Sequence, residues 1–229
     1  MPRMVRTASN EIERQLVSDG FSPVIGCDEV GRGPIAGPVV AAAVILPHDC
    51  MIEGVYDSKK VSEKKRVLLA ESIKKEAIAI AYGVVRTKDI DEINILQATM
   101  LAMKNAIDDC YTQWQNTNHM ILNDVVSCDV SGITKNIPKP IALIDGNQKP
   151  ALTMESQTVV QGDQKSYLIA AASILAKVFR DDAMMQIHKR YPMYGFDSNK
   201  GYGTKTHIDA IRQHGLCPFH RITFCKNFI

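Results

Sequence analysis

Residues 23–46 read PVIGCDEVGRGPIAGPVVAAAVIL, and the fold class follows from how this stretch is parsed. Pro23 to Val30 has the composition of a strand, apolar until it reaches the acidic pair Asp28 and Glu29. Gly31-Arg32-Gly33-Pro34 reads as the turn after it, since glycine accepts positive φ and proline has no N–H to give a ladder. Pro38 to Leu46 is a second strand, apolar throughout, which is the pattern of a strand buried on both faces. A Gly- and Pro-rich loop between the two predicts an antiparallel connection.

Working outward, Ile12, Leu16 and Phe21 are spaced between charges and predict a short amphipathic helix in an N-terminal extension, residues 1–22. Ser62-Glu63 suits a helix start, with a helical pattern running to about Lys75. Ala77 to Val85 predicts a third strand. Asp91 to Trp114 predicts a helix whose Ile93, Leu96, Met100, Leu101, Met103 and Ile107 stripe is core packing and not a cofactor box. Residues 115–139 are polar and read as an irregular loop insertion. Ile141 to Asp145 is another buried strand, Thr158 to Val160 a brief one, Lys165 to about Tyr191 a long helix, and Thr204 to Gln213 a last helix. The expected fold is α/β, a central mixed β-sheet flanked by helices with a C-terminal helical region. The core is placed at residues 23–190, with 191–229 as a basic, substrate-binding end.

Composition excludes several function classes. With 45% hydrophobic and 23% charged residues the chain is neither a disordered nor a membrane protein. The longest apolar run, Val39 to Leu46, falls far short of the roughly 20 residues a bilayer needs. The N-terminus shows no apolar segment behind its charges, so a cytoplasmic protein with no membrane partner is expected. Six cysteines are scattered without a C-x-x-C pair, which argues for reduced, mostly buried thiols and against zinc. The net charge is +2, yet from Lys177 onward nine Lys/Arg face four Asp/Glu, leaving the rest of the chain net acidic. A basic end beside an acidic body suits a protein that grips phosphates with one part and metal with the other.

Four acids stand where acids are least expected. Asp28 and Glu29 end one apolar strand, Asp145 ends another, and Asp163 sits in a Gly-Asp turn just ahead of the long helix. Open α/β sheets place working sites beyond strand ends. Carboxylates gathered there repel one another, and a divalent cation removes that penalty. All-oxygen ligation points to Mg²⁺ or Mn²⁺, and two such ions about 3.5–4 Å apart can activate water and stabilise a leaving oxygen in phosphoryl displacement. Asp163 also fits a plain helix cap.

The surrounding blocks are distinctive. Asp28-Glu-Val-Gly-Arg-Gly-Pro-Ile-Ala-Gly-Pro-Val-Val resembles the opening signature of the ribonuclease HII family, bacterial branch. Asp57-Ser-Lys-Lys, Ile144-Asp-Gly, Gly162-Asp-Gln-Lys-Ser, Ala171-Ala-Ser-Ile-Leu-Ala-Lys-Val-Phe-Arg-Asp, Gly201-Tyr-Gly-Thr-Lys-Thr-His and His220-Arg follow in the family's order. The resemblance implies an RNase H-like fold, hydrolysis of RNA–DNA hybrids, and cutting 5′ of single ribonucleotides embedded in duplex DNA. The ends left would be 3′-hydroxyl and 5′-phosphate, and the role ribonucleotide excision repair; separately, a monomer is expected. It implies Asp28, Glu29, Asp145 and Asp163 as the catalytic, metal-binding set, with Asp181 in reserve and otherwise a solvated helix charge. Gly31, Arg32 and Gly33 would sense the 2′-hydroxyl, the one group that distinguishes ribose from deoxyribose. Tyr202 would pack on the following sugar. Lys59, Lys165, Lys177, Lys205 and Arg221 are candidate phosphate contacts. His207 could hold a phosphate or a water just outside the metal's own ligands, although a surface histidine is the simpler reading. Two rivals stay open: a nuclease on the same fold that needs no 2′-hydroxyl, and a silent hybrid-binding module.

Overall fold

The computed structural model describes the backbone of residues 6–125 and 139–228, and the side chains of these except 118–125. The segment PVIGCDEV…VVAAAVIL forms β1 (Val24–Val30) and β2 (Val39–Ile45), antiparallel as expected. β3 (Ala79–Val85) pairs antiparallel with β2, while β4 (Ile141–Asp145) and β5 (Glu155–Val159) run parallel to β1. The order across this mixed sheet is β3-β2-β1-β4-β5. Every residue of β2 is buried, because helices cover both faces.

The helices are α1 (Glu11–Ser18), α2 (Glu63–Glu76), α3 (Thr87–Val125), α4 (Gly162–Lys165), α5 (Tyr167–Arg190), α6 (Phe196–Asn199), α7 (Lys205–His214) and α8 (Ile222–Cys225). α5 lies on one face, packed with α2, on a core that includes Ala42, Val44, Leu143 and Ile169. α3 lies on the other, over Ile25, Ala41, Ala43 and Ile144. Each buried Val, Leu or Ile side chain among these is worth roughly 1.5–3 kcal/mol. Two glycines let the helices touch the sheet. A Cβ on Gly26 would lie 2.5 Å from Leu168 Cβ in α5, and one on Gly83 would lie 1.9 Å from the Ala102 carbonyl oxygen in α3.

The sequence reading differs from the structure in several places. α3 starts earlier than Asp91 and runs past Trp114 to Val125, so residues 115–125 are helical and not irregular. The run Gln115-Asn-Thr-Asn-His carries no apolar residue, and a polar run of that kind reads as a loop although it continues the helix. Residues 126–138 of the expected insertion lie outside the described part. Asn94 breaks α3 with φ 68° and ψ 164°, and its Oδ1 caps the next segment by accepting from Leu96 N and Gln97 N at 3.0 and 3.1 Å. β5 begins at Glu155 with alternating exposure, an edge strand whose polar half hid it. The thiols of Cys27, Cys110, Cys217 and Cys225 are free and buried, and that of Cys50 is free and half-buried, while Cys128 lies outside the described residues. Among the described residues no helix is long and apolar enough to cross a membrane.

The N-terminal helix is tied to the start of α5. The buried Glu13 carboxylate accepts from Ser166 Oγ at 2.6 Å and from Leu168 N at 2.9 Å, so it caps the positive end of α5. The C-terminal elements build a third cluster around Ile35, Met184, Tyr194, Phe196 and Ile211, under the loop between β1 and β2.

Candidate metal centre and substrate face

Strand register brings the acids together. β1 and β4 are parallel neighbours, and their last paired residues are Cys27 and Ile144. Asp28 and Asp145 come next on adjacent strands, which run about 4.8 Å apart. Ligand oxygens of Asp28, Glu29 and Asp145 lie within 4.8 Å of one another, the one grouping of this kind among the described residues. Asp145 Oδ1 accepts from Gly162 N at 2.6 Å, so β4 fixes the short helix that carries Asp163.

The electrostatics are those of crowded, partly dehydrated acids. Burial raises the pKa of Asp28 well above the ordinary carboxylate range, reinforced by Glu29 and Asp145. Burial also raises Glu29, against the nearby Arg32 and with Asp145. Asp163 is pushed up to about 6, first by burial, then by Asp57 and Asp145, with Lys59 opposing. Mutual repulsion of this kind is relieved by a divalent cation, and an all-carboxylate donor set suits a hard one. The donor set therefore fits the Mg²⁺ or Mn²⁺ expected from the sequence.

Asp163 is close to Asp145 and Asp57 but outside the tight trio. Asp57 was not singled out by sequence reasoning, although its Asp-Ser-Lys-Lys block was. It is 4% exposed and accepts from Lys59 N at 3.0 Å, which shapes the 3-10 turn Ser58–Lys60. Ser173, also missed, reaches across from α5: its Oγ donates to Ser58 Oγ at 2.9 Å, and its hydroxyl opposes the upward shift of the Asp28 pKa. Its signal was faint, a single polar residue within the Ala-rich start of α5.

Asp181 is corrected. It is 9% exposed, not solvated, and it pairs with Lys177 Nζ at 2.6 Å and Arg66 Nη1 at 3.4 Å, outside the grouping of Asp28, Glu29 and Asp145. That pairing also removes Lys177 from the free phosphate contacts. Arg221 is corrected too: fully buried, it donates to backbone carbonyls and meets no solvent. His207 is not a surface residue but 0% exposed. The Tyr202 carbonyl can only accept from His207 Nδ1 (2.8 Å), and Cys217 N–H donates to His220 Nδ1 (2.9 Å). His220 Nε2 must then carry the proton that it donates to His207 Nε2 at 3.0 Å. Burial lowers the pKa of both rings, that of His220 to about 4, which keeps this chain neutral and intact.

Beside the acids the exposed Arg32 approaches Glu29, with Nη1 at 3.5 Å from Oε1. Gly31 has φ +98°, and a Cβ there would sit 2.4 Å from Arg180 Nε. Gly33 is exposed, with the position of a Cβ 3.6 Å from Tyr202 Cε1, so the tyrosine ring borders the turn. Tyr202 itself is 49% exposed. Lys59 and Lys205 are exposed, and Lys165 Nζ donates to the Val160 carbonyl at 2.7 Å. A cavity of ≈ 120 Å³ lies alongside, lined by Glu29, Arg32, Thr99, Met100, Asp145 and Asn147 among others.

Known proteins resemble this chain throughout its length. The family model for ribonuclease HII matches residues 25–227. The ribonuclease HII of Endomicrobium trichonymphae is 49% identical over 213 residues, covering 93% of this chain and 90% of that one. That of Caldicellulosiruptor bescii is 45% identical over 219 residues, covering 96% and 94%. In fold, the chain is similar to the ribonuclease H2 of Pyrococcus horikoshii OT3, with TM-score 0.60, 22% identity, and coverage of 90% of this chain and 96% of that one. It is similar also to Bst-RNase HIII in complex with Mn²⁺, with TM-score 0.53, 18% identity, and coverage of 88% and 66%. The sheet with its helices on both faces is thus RNase H-like. With a family model spanning nearly all of it and relatives of matching length, the chain belongs to the ribonuclease HII family, metal-dependent nucleases with ribonuclease H activity.

Proposed function

We propose that this protein cuts duplex DNA on the 5′ side of single embedded ribonucleotides, as well as the RNA strand of hybrids, in ribonucleotide excision repair. The ends left are 3′-hydroxyl and 5′-phosphate. The observation that carries the reading is the trio Asp28, Glu29 and Asp145 within 4.8 Å, beside a turn whose backbone is bordered by Tyr202. Asp28, Glu29, Asp145 and Asp163 hold Mg²⁺ or Mn²⁺, which supplies Lewis-acid stabilisation of the phosphate. Gly31 and Gly33 bring the backbone close to the ribose, while Arg32, Lys59, Lys165 and Lys205 face phosphates. The protein works as a cytoplasmic monomer. No side chain becomes a covalent nucleophile in this scheme.

The test is cleavage of a labelled DNA duplex carrying one ribonucleotide, with Mg²⁺, with Mn²⁺ and with chelator, beside an all-DNA duplex. A metal-dependent cut 5′ of the ribonucleotide, absent from the control, is the expected result. Cutting of both duplexes would place the protein with nucleases that ignore the 2′-hydroxyl. Binding without turnover would make it a silent hybrid-binding module.

Tyr202→Ala is expected to lower kcat/KM on the single-ribonucleotide duplex by roughly 5- to 150-fold, the worth of one ring-to-nucleotide contact of about 1–3 kcal/mol. The ring is half-exposed, so thermal stability should move by no more than about 0.5 kcal/mol. An unchanged rate would remove Tyr202 from the substrate face.

A further inference from the structure

Arg221 is 0% exposed, and its guanidinium meets the backbone of a single loop. Nη2 donates to the Gly31 carbonyl at 2.6 Å and the Gly37 carbonyl at 2.8 Å. Nη1 donates to the carbonyls of Arg32 at 3.1 Å and Pro34 at 2.7 Å, and Nε to Gly37 at 3.0 Å. Among the described residues it forms no salt bridge; the Phe224 ring lies 5.2 Å from its Cζ. A buried cation without a carboxylate partner is expensive, and here its hydrogen bonds all serve to fix four carbonyls.

Peptide geometry gives those bonds a consequence. In a planar trans peptide the C=O of one residue and the N–H of the next point in opposite directions. Drawing the Gly31 and Arg32 carbonyls inward therefore turns the Arg32 and Gly33 N–H groups outward, at the two exposed residues of the turn. The peptide after Pro34 shows the same polarity: its carbonyl meets Arg221, and the Ile35 N–H on its other side meets the Gly201 carbonyl at 2.9 Å. Neither the Arg32 nor the Gly33 N–H has a protein acceptor among the described residues. The positive charge on the carbonyl side polarises each peptide and strengthens its N–H as a donor. Arg180 fastens the far end, donating to the carbonyls of Ala36, Pro38 and Lys200 and so tying the loop to the Tyr202 segment.

We propose that Arg221 is the positioning residue for ribose recognition: it aims the Arg32 and Gly33 N–H groups at the 2′-hydroxyl oxygen of the ribonucleotide. This rests on the proposed function, in which the Gly31–Gly33 turn faces the ribose. Arginine is required because its planar fork of five N–H donors reaches all four carbonyls; a lysine keeps the charge with three donors on one atom and cannot.

The experiment compares wild type and Arg221→Lys for binding to a one-ribonucleotide duplex and to the same duplex in all-DNA form, in chelator, where nothing is cut. Wild type should prefer the ribonucleotide duplex. Arg221→Lys should keep its affinity for all-DNA duplex, because phosphate contacts are untouched, and lose about tenfold or more of the preference. A folded variant with the wild-type preference overturns the inference, whereas a wild type with no preference overturns the underlying reading of the turn. A purely structural role would weaken both duplexes alike, and that outcome also counts against it. If Arg221→Lys does not fold, the wild-type amide signals decide: those of Arg32 and Gly33 should shift and gain exchange protection with the ribonucleotide duplex but not with all-DNA duplex. Equal response to both duplexes would overturn the assignment.

Discussion

Asp28→Asn is expected to lower metal-dependent cleavage by about a thousandfold or more, roughly 4 kcal/mol of barrier, while leaving duplex binding nearly unchanged. The substitution is close to isosteric, and the amide oxygen can still accept from Glu29 N, which bonds Asp28 Oδ1 at 2.7 Å. What it removes is one of three converging charges. The same variant should be more heat-stable than wild type in chelator at neutral pH. Burial, then Glu29 and Asp145, hold the folded pKa of Asp28 above its unfolded value. The stability contributed by the protonated acid is complete below the unfolded pKa and is lost as pH rises through the raised folded one. Asparagine is neutral at every pH and keeps that contribution. Adding Mg²⁺ or Mn²⁺ should raise the wild-type melting temperature more than that of the variant, since only the native state presents the assembled site. Full activity in Asp28→Asn would refute the metal-site assignment. Equal melting temperatures in chelator would show that the acids are not in mutual repulsion.

Gly83→Ala is expected to cost about 3 kcal/mol or more, a drop in melting temperature of roughly 6–12 °C for a chain of this size. Its Cβ would stand 1.9 Å from the Ala102 carbonyl oxygen, 2.8 Å from Ala102 C and 3.0 Å from Ala106 N, all backbone of α3. No rotamer change relieves such a clash, so α3 must lift from the sheet. Val84→Ala, at the neighbouring and 43% exposed position, serves as the control and should change stability by no more than about 0.5 kcal/mol. Urea unfolding of both variants measures this. A Gly83→Ala midpoint within error of wild type would mean that the helix and sheet can separate without loss, contrary to so close an approach of α3.

Much of the site is legible in the residues themselves, and for a local reason. Asp28 and Asp145 each end a run of apolar residues, and a run of that kind is a buried strand whose end faces solvent. Gly31, Gly33 and Gly201 announce turns close to a ligand or another chain segment because only the smallest residue fits there. The long helix α5 and the antiparallel β1–β2 pair follow from apolar periodicity and from turn chemistry. Where the signal fails, the local residues are polar: the run Gln115-Asn-Thr-Asn-His within α3 and the outer half of β5.

The roles of Arg221, His207, Asp181 and Asp57 are not legible in that way. Each is charged or polar, and by composition belongs on the surface or in the phosphate-binding set. All four are instead buried, by packing that composition does not report. Arg221 bonds Gly31 across 190 residues and Asp181 meets Arg66 across 115, so no local spacing could report either contact. The same holds for Gly26 and Gly83, whose lack of a side chain is required only because a helix backbone arrives there. Sequence by itself determined the elements and the acids at their ends, since strand and helix periodicity are short-range properties of the chain. Tertiary structure alone decided which acids meet, which cations are free to face phosphate, and which way the turn's peptides point, because those depend on register and on hydrogen bonds between distant segments.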